Sequence, residues 1–264
     1  MALDGGGVTT VDEHTTDFAR PWAQHRARIY LGTAAFTALM FVGTTIGVAT
    51  GLVAPTFTTD VIVNLIFGIP VIVLPFVILW DAPGEQRSRL DEAAELTMFW
   101  LPYSAGSQIG YELVFLIGHP LGLWAPTTDP GWKWLWWQYG LADTRYTSGN
   151  PWTLALELVG VTMGITLFVM WTRMFRPSLP PESRIRCLWI AFTGVAVIYS
   201  STTVYFLAEV SNGFDDIGQG PFGFWFKFIG ENLPFIILPP LVLYSIHLQI
   251  DYLTRRVARE LVAQ

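Results

Sequence analysis

The sequence predicts an all-α fold, a polytopic bundle of membrane helices with six spans, and three observations carry that reading. Hydrophobic residues make up 52% of the 264-residue chain and charged residues only 14%, with a mean hydropathy of +0.43. That is too apolar for a soluble domain of this length. The apolar residues fall in six runs, each long enough to cross a hydrocarbon core of ~30 Å at 1.5 Å per residue. The basic residues also divide by side. With six spans, Arg20, Arg26, Arg28, Arg87, Arg89, Arg173, Arg176, Arg184, Arg186, Arg255, Arg256 and Arg259 share the side of the two termini, whereas the opposite loops hold Lys133 and Arg145. An excess of arginine on one side marks it as cytoplasmic.

Taken in order, residues 1–28 form a polar N-terminal tail, rich in Gly, Thr and Asp, with no pattern of a cleaved signal peptide. The first span is expected at 29–53, within an N-terminal helical unit of 29–58. A second run, 61–80, follows after a short link around Pro55, which forces an antiparallel pair. The charged segment 81–95 separates it from the third span, 96–123. Residues 124–151 carry Trp124, Trp132, Trp134, Trp136 and Trp137, an aromatic density expected of a loop lying on the membrane interface or lidding a site. The remaining spans are expected at 152–175, 187–208 and 224–248. The last contains Pro234, Pro239 and Pro240, which imply kinks or local unwinding. Residues 251–264 read as a polar C-terminal tail.

Several function classes lose support. No basic stripe interleaved with stacking aromatics points to nucleic acid. Cys187 is the single cysteine, so one chain builds neither a disulfide framework nor a thiolate metal site. No metal-binding carboxylate–histidine spacing, phosphate-binding glycine loop or nucleophile elbow occurs, and no metal or cofactor is expected.

The informative residues are polar groups inside the apolar runs. Gln108 and Glu112 stand four apart in the third span and share a helix face. Glu157 lies in the first turns of the fourth span, and Glu231 and Asn232 lie in the sixth. Ionisable groups at membrane depth face a protein-lined cavity or carry a large desolvation cost, which makes them candidate functional groups. A carboxyl held out of water keeps its proton more readily and can act as an acid toward a lipid alkene. Glu231 points about 100° away from Asn232 on an ideal helix, so Asn232 is assigned to the interior. Lys227 is expected to snorkel from the outer end of the sixth span, and the hydroxyls of 199–203 to bond back to their own helix. Trp225 and the phenylalanines around it could line a cavity that stabilises a carbocation through ring faces.

The second half of the chain also carries a familiar pattern. The stretches LWWQYGLADTRY (135–146), SGNPWTLALE (148–157), YFLAE (205–209), NGF (212–214) and FWFKFIGENLPFIILP (224–239) together resemble the emopamil-binding protein family, the sterol Δ8-Δ7 isomerases and relatives of the EXPERA membrane domain. The resemblance covers roughly 96–248. It implies a five-helix membrane domain over 59–250, to which 29–58 adds an N-terminal helix. It matches Glu112, Glu157 and Asn232 to the family's catalytic positions. Gln108 stands where the family has His, Phe235 where it has Trp, and Thr202 where it has Asp.

The expected function is therefore cofactor-independent isomerisation of a double bond in a sterol-like or terpenoid lipid through a carbocation, with Glu112 and Glu157 as acid and base. Gln108 would orient one of them, while Asn232, Phe235, Tyr111 and Tyr146 shape the pocket, which should lie between the third to sixth spans. The alternatives are a proton-initiated terpene cyclase and a non-catalytic lipid-binding protein of the sigma-2-receptor type. The expected partners are an apolar sterol-like or isoprenoid lipid and membrane lipids, with a homodimer left open.

Overall fold

The computed structural model describes residues 16–263; most of the expected N-terminal tail lies outside the described residues. The fold is a helical membrane bundle, and among the described residues five helices are long and apolar enough to cross a membrane. These are α1 (Gln24–Ala49), α2 (Phe57–Val77), α6 (Pro151–Met174), α7 (Pro181–Ser211) and α8 (Phe222–Val262). The expected third span is α3, which runs over 89–118. It carries more charge in its first turns and is wrapped by its neighbours, with every residue from 93 to 101 buried. Two short helices, α4 (Trp134–Ala142) and α5 (Thr144–Ser148), fill the connection between α3 and α6.

Local chemistry sets these boundaries. Ser88 opens α3 by accepting from the Asp91 amide at 3.1 Å, and the Asp91 carboxylate in turn accepts from the Ser88 amide at 3.0 Å. Asn150 caps α6 on the amides of Trp152 and Thr153, with Pro151 in the first turn where its missing N–H costs nothing. Beyond residue 250, α8 continues as helix to Val262, held on its exposed face by the i,i+4 pairs Arg255–Asp251 and Arg256–Glu260. The segment expected as a polar tail is thus the polar last turns of a helix.

Three helices are interrupted by π-helical segments: Asn64–Gly68 in α2, Gln108–Glu112 in α3 and Phe222–Gly230 in α8. Proline accounts for two of them. A proline ring clashes with the carbonyl four residues earlier, and for Pro70 and Pro234 that carbonyl belongs to Ile66 and Gly230, both inside a π segment. Unwinding in α8 therefore precedes Pro234, while Pro239 and Pro240 sit within regular helix.

Tight packing joins α6 to α7, α7 to α8, and α3 to both α6 and α8. By contrast α1 leans on α2 and on α4. The half of the bundle at the terminus side is an aliphatic core around Ile78, Leu101, Leu188 and Leu238. The opposite half is aromatic, built on Phe115, Trp134, Tyr139, Tyr146 and Phe228. This corrects the interfacial expectation for 124–151: Trp124, Trp134, Trp136 and Trp137 are buried, and only Trp132 of the five is exposed. The Trp124 indole donates to the Phe115 carbonyl at 3.0 Å, against Gly118, where a side chain would collide with the ring.

Candidate functional site

One large cavity, about 1050 Å³, runs through the bundle, a volume at the upper end of the range for small-molecule sites. It is wider in composition than expected, since α1 and α2 line it together with α3 to α8. Gln108, Tyr111, Glu112, Tyr146, Glu157, Thr202, Asn232 and Phe235 all face it. Trp225 does not: it is 66% exposed, with its ring set edge-on against Phe224 at 4.8 Å. The π segment turns this side chain away from the bundle.

Glu112 and Glu157 meet across the cavity wall, close enough for direct side-chain interaction. The Tyr146 hydroxyl donates to Glu157 Oε1 at 2.6 Å. Glu112 Oε2 is buried with no hydrogen-bond partner among the described residues. Gln108 makes no side-chain hydrogen bond to either carboxyl among the described residues, and its Oε1 is also without a partner. Its side chain is instead wedged against α6 at Gly160 and Gly164, where any Cβ would strike it. Tyr146 does the orienting, and its own position is fixed by His119, whose Nε2 lies 2.6 Å from the Tyr146 carbonyl.

Behind Tyr146 a buried ion cluster holds the backbone. Arg145, expected in an outer loop, is 4% exposed and pairs with Asp143 at 2.5 Å and Glu209 at 3.1 Å. Its guanidinium lies 4.1 Å from the centre of the Tyr205 ring, and the Tyr205 hydroxyl donates to Asp143. A β-bridge between Asp143 and Ile217 ties the α4–α5 junction to the loop after α7.

Asn232 donates to the Tyr139 hydroxyl at 3.2 Å and to the Phe228 carbonyl at 2.9 Å. Thr202 returns its hydroxyl to the Ile198 carbonyl at 3.0 Å, as the hydroxyl string predicts. Phe235 stacks on Tyr103 at 5.8 Å. Glu231, assigned away from the interior, also lines the cavity. The reason is that 231–233 is a turn between the π segment and Pro234, so the 100° helical offset from Asn232 does not apply.

Lys227 does not snorkel either. It is 1% exposed, and its ammonium bonds Asp60 Oδ2 at 2.6 Å and the Gln138 carbonyl at 3.0 Å. Asp60 is completed by the Asn64 amide at 2.7 Å. Sequence reasoning missed this second polar group of Asp60, Asn64, Lys227 and the Gln138 carbonyl. Its one signal was the i,i+4 pair Asp60 and Asn64 at the edge of an otherwise apolar run. Each π segment brings polar side chains to this cavity: Asn64, Gln108 with Glu112, and Lys227. Such segments recur at functional sites because the extra residue re-aims side chains.

The chain matches no protein-family model, no characterised protein and no solved structure.

Proposed function

We propose that the chain is an integral membrane, cofactor-independent isomerase that shifts a double bond in a sterol-like or terpenoid lipid. One observation supports this above the others: two adjacent carboxyls, one braced by a tyrosine and one with a spare oxygen, at the polar end of a large aromatic-walled cavity. The resemblance of Glu112, Glu157 and Asn232 to the isomerase positions points the same way. Protonated Glu112 adds its proton to one alkene carbon, leaving a cation on the other. Ionised Glu157, held by Tyr146, removes a proton from the neighbouring carbon, and the double bond re-forms one position along. A proton passed from Glu157 to Glu112 resets the pair. The faces of Tyr111, Tyr139 and Phe235 stabilise the cation, and apolar walls keep water from trapping it. The arginine distribution supports a cytoplasmic side for both termini.

Incubating the purified protein with sterols and prenyl lipids in deuterated water, then analysing extracted lipids by mass spectrometry, tests the reading. Deuterium incorporation with a shifted double bond is the expected result, and a new ring would identify a cyclase instead. Lipid recovered bound but unlabelled and unchanged, from folded protein, would overturn the enzymatic reading in favour of a binding protein.

A further inference from the structure

The cavity has a direction. On α1 its wall is a stripe of Ala27, Tyr30, Ala34, Ala38 and Phe41, and the lining continues to Val42. That span is roughly 22 Å at 1.5 Å per residue. The facing wall on α3 descends through Met98, Pro102, Gly106 and Gly110. A Cβ at Gly106 or Gly110 would meet nothing within 4 Å, so these glycines leave the slot open. At the terminus side the lining is Trp22, Trp171 and Phe175 with Arg20 at the rim; at the far end it is polar.

Among the far-end groups, most hydrogen-bonding capacity is already committed. Lys227 serves Asp60 and Gln138, Asn64 serves Asp60, Asn232 serves Tyr139, and Glu157 accepts from Tyr146. Glu231 differs: it lines the cavity and accepts no hydrogen bond from any described residue, though the Lys227 ammonium is near enough to act on it electrostatically. Gly68 stands beside it: a Cβ there would press on the Phe226 ring at 3.1 Å and lie 3.7 Å from Glu231 Oε1, so the glycine lets the two helices close around this carboxyl.

We infer that the cavity takes an elongated isoprenoid lipid hydroxyl end first, with Glu231 accepting the hydroxyl's hydrogen bond and the apolar body lying between α1 and α3 toward Trp22 and Trp171. This rests on the proposed function only in reserving Glu112 and Glu157 for chemistry. The same recognition serves a prenyl alcohol or a sterol, and affinity for each separates the two sources.

The test is equilibrium binding of a radiolabelled prenyl alcohol, a sterol and the methyl ether of each to the purified full chain in detergent, without scoring turnover. The free alcohol should bind about fivefold more tightly than its ether, the net worth of one hydrogen bond. Glu231→Leu should erase that preference and Glu231→Gln restore part of it, while Glu85→Gln, in the loop between α2 and α3, leaves it intact. Gly106→Leu should weaken binding of longer prenyl chains while sparing shorter ones. A prenyl alcohol carrying a photoreactive group at its tail should label the segment around Trp22 and Trp171 in the unmodified chain. That arm needs no variant to fold. Equal affinity for alcohol and ether, or tail labelling near Tyr111 and Glu112, would overturn the inference. Correct binding with no deuterium exchange would leave it standing and remove only the isomerase reading.

Discussion

The buried carboxyls of the terminus-side network and those that line the cavity at the far side are treated in opposite ways. At the terminus side Glu95 is fully buried, with Arg87 at 2.8 Å, Arg26 at 3.5 Å and the Tyr30 hydroxyl donating to it. Arg26 also forks onto Glu85 with three contacts between 2.6 and 3.0 Å. At the far side Glu112, Glu157 and Glu231 line a cavity, and no cation among the described residues bonds any of them. The nearest ammonium, Lys227, is spent on Asp60. Carboxyls that hold helices together are saturated with donors, whereas those that face the cavity keep spare valence. The comparison separates structural burial from a site able to act on a ligand.

The largest effect should come from the unsaturated end. Glu112→Gln and Glu157→Gln should each abolish deuterium incorporation while leaving thermal stability close to that of the parent, because no ion pair is broken. Thermal unfolding in detergent alongside the labelling assay checks both halves. A large loss of stability in Glu157→Gln would erase the contrast between the two ends.

The saturated end should answer the other way. Glu95→Ala strands Arg87 and Arg26 without their buried partner, and breaking one side of a buried pair costs about 3–5 kcal/mol. Its unfolding midpoint should fall steeply, and any surviving activity should track the folded fraction. An unchanged midpoint would show that the network is not structural.

An intermediate case lies between them. Lys227→Met leaves Asp60 charged and unpaired in the protein, so it should destabilise by a few kcal/mol. Adding Asp60→Asn should recover part of that loss, since residues in direct contact are not additive. The double-mutant cycle measures it, and strictly additive losses would mean that the pair is not coupled.

How much of this was readable beforehand differs residue by residue. Glu112, Glu157 and Asn232 stood out because a polar group inside an apolar run has no cheap explanation. Lys227 did not, because a lysine near the end of a span looks the same whether it snorkels or pairs. Its partner lies 167 residues away, and only the fold brings them together. The π segments carry no compositional mark, so the helical offset between Glu231 and Asn232 does not hold there, and nothing in the aromatic content of the sixth span shows that Trp225 faces outward. The tryptophans of 124–151 suit an interface and a core equally well. What decided for the core was the folding of α4 into the bundle, set by contacts distant in sequence.

The smallest expected effect is on the acid side, and it belongs to the saturated network alone. Glu85 lies in the loop between α2 and α3, where its hydrogen bonds from Arg26 hold the carboxyl down to about 2 from an ordinary 4.5. A carboxyl lowered in the folded state adds stability above its unfolded value and loses it as pH falls toward the folded one. The contribution is therefore complete above about pH 4.5 and is lost between there and about pH 2. The unfolding midpoint of the parent should drop across that window, and Glu85→Gln, lower at neutral pH, should drop less and converge with it at the acid end. Parallel curves for the two proteins throughout would show that the Arg26–Glu85 fork adds no pH-dependent stability. Because Glu85 lies far in the chain from the cavity carboxyls, the variant should leave the alcohol-over-ether preference unchanged at neutral pH. The two ends can then be broken independently.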